Sequence, residues 1–238
     1  MKTATAVLVA TLVVASFWLA GATPARAGLM GQLGFLTEAW FVDNPENPAT
    51  GDPWEAGDAY HIVFVTSTGR DSTSTEISDY NDFVQGVADA AGIGSPEVTW
   101  KVIGSTAAVA ANENAVVSAP VFNTGGDLIA IDAADLWDQE IHNSIYYDEY
   151  AAQAAPTVAA GTMPNGTTRG GAELGNPSYV NNAFTDHTDA LWIAGEWGND
   201  PNDEWSYYAL SSPLDVVPEP ATLTLLGLGL GGLLRRRR

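Results

Sequence analysis

The sequence predicts a β-rich α+β fold: one domain with a single main helix packed on short strands joined by long loops. Three observations carry this. About seven short runs are rich in β-branched and aromatic residues and end in Gly, Pro, Asn or Ser. Only one segment holds a clear helical period. No repeat recurs at a fixed spacing, which excludes a solenoid or propeller.

Taken in order, Phe35 to Val42 is apolar enough for a first strand, and Asp43 to Pro48 after it can only turn. Tyr60 to Thr66 (YHIVFVT) is the strongest strand. The helix follows, with Ser78 as N-cap and Tyr80, Phe83, Val84, Val87 and Ala91 on one face. Asp79 and Asp82 favour its first turn and Gly92 its end. Val98 to Ile103, Ala115 to Phe122 and Asp127 to Ile131 read as strands, the last two joined by a hairpin turn at Asn123 to Gly126. Ala133 to Trp137 suits one helical turn. Ala159 to Asn182 reads as long loop. Ala190 to Glu196 and Trp205 to Leu210 read as closing strands around the acidic loop Gly198 to Glu204.

Composition narrows the function. The chain has 238 residues, no cysteine, 29 acidic residues and nine basic ones. Between Arg26 and Arg235 only Arg70, Lys101 and Arg169 are basic, so the interior carries a net charge of about −25. That excludes a nucleic-acid surface, which needs clustered cations. The lack of cysteine excludes disulfides, thiol catalysis and thiolate zinc sites.

The two ends give an address. Lys2 precedes an apolar stretch from Ala6 to Ala22, and Ala25-Arg26-Ala27 offers small-x-small residues to signal peptidase. Residues 1–27 therefore read as a signal peptide with Gly28 as the new N-terminus. Residues 28–217 form the acidic extracellular body and 218–238 a tail. In the tail Pro218-Glu219-Pro220 precedes the apolar run Ala221 to Leu234, and Arg235, Arg236, Arg237 and Arg238 close the chain. As a helix that run would reach about 21 Å, short of the ~30 Å hydrocarbon core. The arginines should stay on the cytoplasmic side, giving a weak, transient membrane anchor.

Those tail residues, in that order, resemble the PEP-CTERM sorting signal of Gram-negative bacteria. The resemblance implies recognition and removal by an exosortase, a membrane transpeptidase-like protease, with Pro218, Glu219 and Pro220 as processing motif and Arg235 to Arg238 as stop signal. The body, through Tyr60 to Val84, Val98 to Thr106, Ala134 to Asp138 and Trp205 to Ser211, resembles an uncharacterised group of secreted PEP-CTERM proteins. Its order of elements is similar to a C-type-lectin-like or endostatin-like fold. The cysteines and the Glu-Pro-Asn sugar motif of typical lectins are missing, so fold likeness implies no sugar specificity.

Chemistry is thinly signed. His61 sits in the strongest strand, where a structural role is expected; His142 lies near Glu140, and His187 near Asp186 and Asp189. No His-Glu-x-x-His or Gly-x-Ser-x-Gly pattern occurs. Ca²⁺ is the candidate cofactor: Asn199, Asp200, Asn202, Asp203 and Glu204 gather hard oxygen ligands in one loop, with Asp132, Asp135 and Asp138 a weaker set. Trp54, Trp197 and Trp205 flank acidic loops and are the aromatics expected at the surface, where flat rings stack on sugars. The expected function is a non-enzymatic, exported surface or matrix protein that binds Ca²⁺ or extracellular polysaccharide. The alternative is a secreted glycan hydrolase using a carboxylate pair.

Overall fold

A computed structural model describes residues 29–94, 97–195 and 198–218. The expected signal segment with Ala25, Ala27 and Gly28 lies outside the described residues, as do Trp197, Glu219, Pro220 and Arg235 to Arg238. Among the described residues no helix is long and apolar enough to cross a membrane.

The elements run β1 (Leu29–Gly31), α1 (Glu38–Asp43), β2 (Ala59–Val65), α2 (Ile77–Ala90), β3 (Trp100–Val102), α3 (Ala111–Asn114), β4 (Val121–Asn123), β5 (Leu128–Ala130), α4 (Ala133–Leu136), β6 (Thr157–Ala159), β7 (Val180–Phe184), a 3₁₀ turn (Ala190–Trp192), β8 (Gly198–Asn199), β9 (Tyr208–Ser211) and β10 (Leu214–Pro218). The fold is α+β and β-rich. A seven-stranded sheet follows the path β1-β10-β2-β4-β5, with β9 pairing both β2 and β3; β6, β7 and β8 form a second sheet. All pairs are antiparallel except β2 with β4, and the chain between those two runs through α2, β3 and α3.

β2 explains the layering. Its residues Ile62 to Val65 have no solvent exposure, so the strand is buried on both faces. Tyr60, Ile62 and Phe64 join one core with Tyr80, Val84, Val87 and Ala88 of α2. Val63 and Val65 join a second core with Leu136, Val158, Ala183 and Trp192. β9 and the Tyr207 that precedes it alternate likewise, Tyr207 and Ala209 to the first core and Tyr208 and Leu210 to the second. A strand covered twice reads as a continuous apolar run, which is why Tyr60 to Thr66 stands out.

Several expected elements take another form. Phe35 to Val42 is a strand in neither half: Thr37 Oγ1 accepts from the Trp40 N–H at 3.2 Å and starts α1. Helix α2 begins at Ile77 behind Glu76, so Ser78 lies inside its first turn; Ser74 organises the entry by accepting from the Glu76 N–H at 3.2 Å and donating to Asp79 at 2.6 Å. Gly92 closes it at φ +76°, as expected. Ala115 to Phe122 shrinks to β4, preceded by α3. Ala190–Trp192 is a 3₁₀ turn because Asp189 accepts from the Leu191 N–H at 3.1 Å. β7 emerges from the end of the stretch read as loop, paired with β6 and β8.

Candidate functional site

Beside α2 the fold builds a groove of about 340 Å³. One wall is helical: Asp82, Phe83, Gly86, Val87 and Ala90 recur at helical spacing on one face. Gly86 leaves the middle of that wall low, with nothing within 4 Å of where a Cβ would stand. Phe83 is steadied by an edge contact to Tyr207, ring centres 5.8 Å apart.

The opposite wall comes from the end of β2 and a tight loop. Ser67 and Thr68 leave the strand, and the Val65 N–H donates to the Tyr147 carbonyl at 2.9 Å, which brings Asp148, Glu149 and Tyr150 alongside. Asp148 is buried, and its Oδ1 accepts from the Tyr150 and Ala152 N–H groups, each at 2.9 Å. Thr124 Oγ1 donates to the Asp148 carbonyl at 2.8 Å. Ala151 sits at φ +58°, an uncommon conformation for a residue with a side chain, held by these bonds. Tyr150 stands beside it at the loop tip, 62 % exposed. Glu149 turns inward and is only 3 % exposed; Oε2 accepts from the Ser67 N–H at 2.9 Å and Oε1 from the Ser67 hydroxyl. A buried carboxylate needs such donors. The groove thus joins an aromatic platform, an apolar wall and acidic acceptors in one place.

The expected metal ligands behave otherwise. Asp200 Oδ1 accepts from the Asn202 backbone and side-chain amides, both at 2.9 Å, and these donors hold its carboxyl below the ordinary value. Trp205 Nε1 donates to the Asp200 carbonyl at 2.9 Å, and Asn199 is buried in β8. The loop is folded on itself, and Asp200, Asp203 and Glu204 do not converge; among the described residues no group of three or more Asp, Glu or His side chains could hold a metal ion. Asp132 instead caps α4, accepting from the Asp135 N–H at 2.9 Å, and Asp135 meets His142 at 3.1 Å.

The exposed-tryptophan expectation is corrected at Trp54. It is 2 % exposed, locked into an aromatic cluster with Phe41 at 5.7 Å, and with Trp40 and Phe122 each at 6.3 Å. α1, unforeseen as a helix, supplies two of those rings. Trp205 is partly buried against the first core. His61 is buried as a structural residue: Nδ1 donates to the Ser211 carbonyl at 2.8 Å, so Nε2 accepts from the Ser118 N–H at 3.1 Å. Burial lowers its pKa below the ordinary 6.5, against the opposing pull of the Ser211 carbonyl.

Sequence reasoning missed Ser67, Asp82, Phe83, Gly86, Glu149 and Tyr150 as a set. Its one available signal was Tyr146-Tyr147-Asp148-Glu149-Tyr150, polar and aromatic together outside any periodic segment.

Taken with its acidic body, the chain's C-terminus defines a class, exported proteins that carry a C-terminal sorting segment. Residues 216–238 match the PEP-CTERM protein-sorting motif. That segment carries a sorting signal of the PEP-CTERM kind, and the motif implies export, sorting to the cell surface and processing by exosortase. No curated protein matches the chain.

Proposed function

We propose that this is a non-enzymatic surface protein that binds a neutral extracellular polysaccharide in the groove between α2 and the loop at 147–152. The observation that carries it is Tyr150, an exposed ring lining a groove whose same wall holds the buried Glu149 carboxylate. A sugar ring has apolar faces that stack on such a platform and equatorial hydroxyls that donate to carboxylate lone pairs left free by Ser67. The volume falls within the ordinary range for small ligands and suits one or two sugar units of a chain passing through an open groove. The charge of the body argues for a neutral polymer, since an anionic one would meet repulsion from nearly every direction.

A glycan array probed with the processed protein and with Tyr150→Ala tests this. Binding to neutral glycans that the variant loses supports the reading; no glycan bound, or equal binding by the variant, overturns it.

The hydrolase alternative has its own observation: Asp82 and Glu149 line the same groove. A general acid must aim a proton at the glycosidic oxygen, however, and both Glu149 oxygens face Ser67 as acceptors. Polysaccharide turnover that Glu149→Gln abolishes would replace binding with hydrolysis.

A further inference from the structure

We infer that β1 is a latch on the sorting signal: it holds the first residues of the motif in the body's sheet, and exosortase processing requires it to let go. β1 and β10 pair antiparallel, Leu29 opposite Pro218, Met30 opposite Val217 and Gly31 opposite Val216. The sorting motif begins at residue 216, so its first three residues are the paired ones. A protease reads an extended segment through backbone hydrogen bonds, and a segment already laddered to β1 cannot also lie in an enzyme cleft.

The two flanks of β10 are unequal. On one side β2 pairs only with Leu214 and Asp215, and the last tie there joins Val216 to the preceding loop: its N–H donates to the Asp58 carbonyl and its carbonyl accepts from the Gly57 N–H, both at 2.8 Å. Beyond Val216, strand pairing of Val217 and Pro218 among the described residues is with β1 alone. Pro218 has no N–H to donate, so the Pro-Glu-Pro motif enters the pairing with β1 through a residue that can only accept. Peeling a three-residue edge strand therefore frees the motif while β2 keeps the rest of β10 in place.

β1 is seated by a close approach. The Gly31 N–H donates to the Leu36 carbonyl at 2.7 Å, and the Gln32 N–H to the Asp215 carbonyl at 3.1 Å. A Cβ on Gly31 would strike the Tyr60 hydroxyl, which belongs to a fully buried ring. Gly31 is thus the one residue type that lets β1 lie flat there. β1 also follows directly on the expected signal-peptidase site, so both membrane-directed ends of the body leave from one strand pair.

The chain has no cysteine, which makes a crosslink unambiguous. Directly opposed residues of an antiparallel pair lie at a spacing a disulfide can span. Full-length Met30→Cys/Val217→Cys precursor, in membranes containing exosortase, is followed for loss of the tail with the bridge oxidised and then reduced. The latch predicts that processing stops while the bridge is closed and resumes on reduction. Equal rates in the two states overturn it. A second variant works in the opposite direction: Gly31→Ala combined with Val217→Cys should label faster with a thiol reagent and be processed faster than Val217→Cys alone. Faster labelling with unchanged processing would equally overturn the latch.

Discussion

Tyr150 and His61 show how single residues here are committed to opposite tasks. Tyr150 is held out by bonds that Asp148 makes to the loop backbone, so its exposure is built rather than incidental. Tyr150→Ala is expected to weaken glycan binding about tenfold, or ~1.4 kcal/mol, and to leave the melting temperature unchanged. A titration of both proteins with one oligosaccharide, alongside thermal melts, checks this. His61 is turned inward and neutral. Because its folded pKa lies below the unfolded 6.5, its contribution is fully present above pH 6.5 and is lost as pH falls through the folded value. Melting temperature should therefore decline as the pH is lowered from 7 to 5, and His61→Gln should flatten that decline while lowering stability at pH 7. An unchanged slope in the variant would remove His61 from the account. Asp71 does not compete in that window. Its pKa is held below the ordinary carboxylate value mainly by the Thr73 hydroxyl and N–H, so its loss comes at more acidic pH.

At the scale of elements, α2 is both a core helix and a groove wall. Tyr80, Val84, Val87 and Ala88 face the sheet, while Gly86 faces open space. Gly86→Ala should raise stability by about 1 kcal/mol, or roughly 2–4 °C in melting temperature, because the helix interior gains a better former with no clash. A melt that falls instead would mean the helix is strained at that point. α2 and β2 were legible in the sequence because each has one environment along its length: a sustained helical period in one, unbroken burial in the other. α1 was not legible. Leu36, Trp40, Phe41 and Val42 read as strand residues, and only Thr37 with its bond to the Trp40 N–H turns them into a helix. β7 was equally hidden, since Val180-Asn181-Asn182-Ala183-Phe184 has weak strand propensity and is held by partners on both sides. The groove was illegible for a related reason. Ser67 and Glu149 meet beside Gly86 of α2 through the pairing of the β2 end with the segment at 147–148, a long-range contact that no local pattern encodes.

For the whole molecule, charge and topology point the same way. An acidic body with three interior cations suits an exterior setting and repels anionic polymers, so recognition of a neutral glycan should barely respond to salt. Affinity measured at low and at high ionic strength should agree; a steep salt dependence would indicate an ionic partner instead. The ends of the body meet in β1 and β10, so the sorting signal starts within the fold rather than on a linker. The address was legible in the sequence because sorting motifs are short and linear. The groove beside α2 was not, because it is assembled from distant segments. The most direct test of that groove is a calorimetric titration of the processed protein with a neutral polysaccharide from the producing cell's own matrix, compared with Gly86→Phe, which fills the groove from a position with free space around it. Saturable heat is expected for the native protein and none for the variant, whose melting temperature should not fall below the native one. Equal binding by the two, or no heat from either, would contradict the proposed binding.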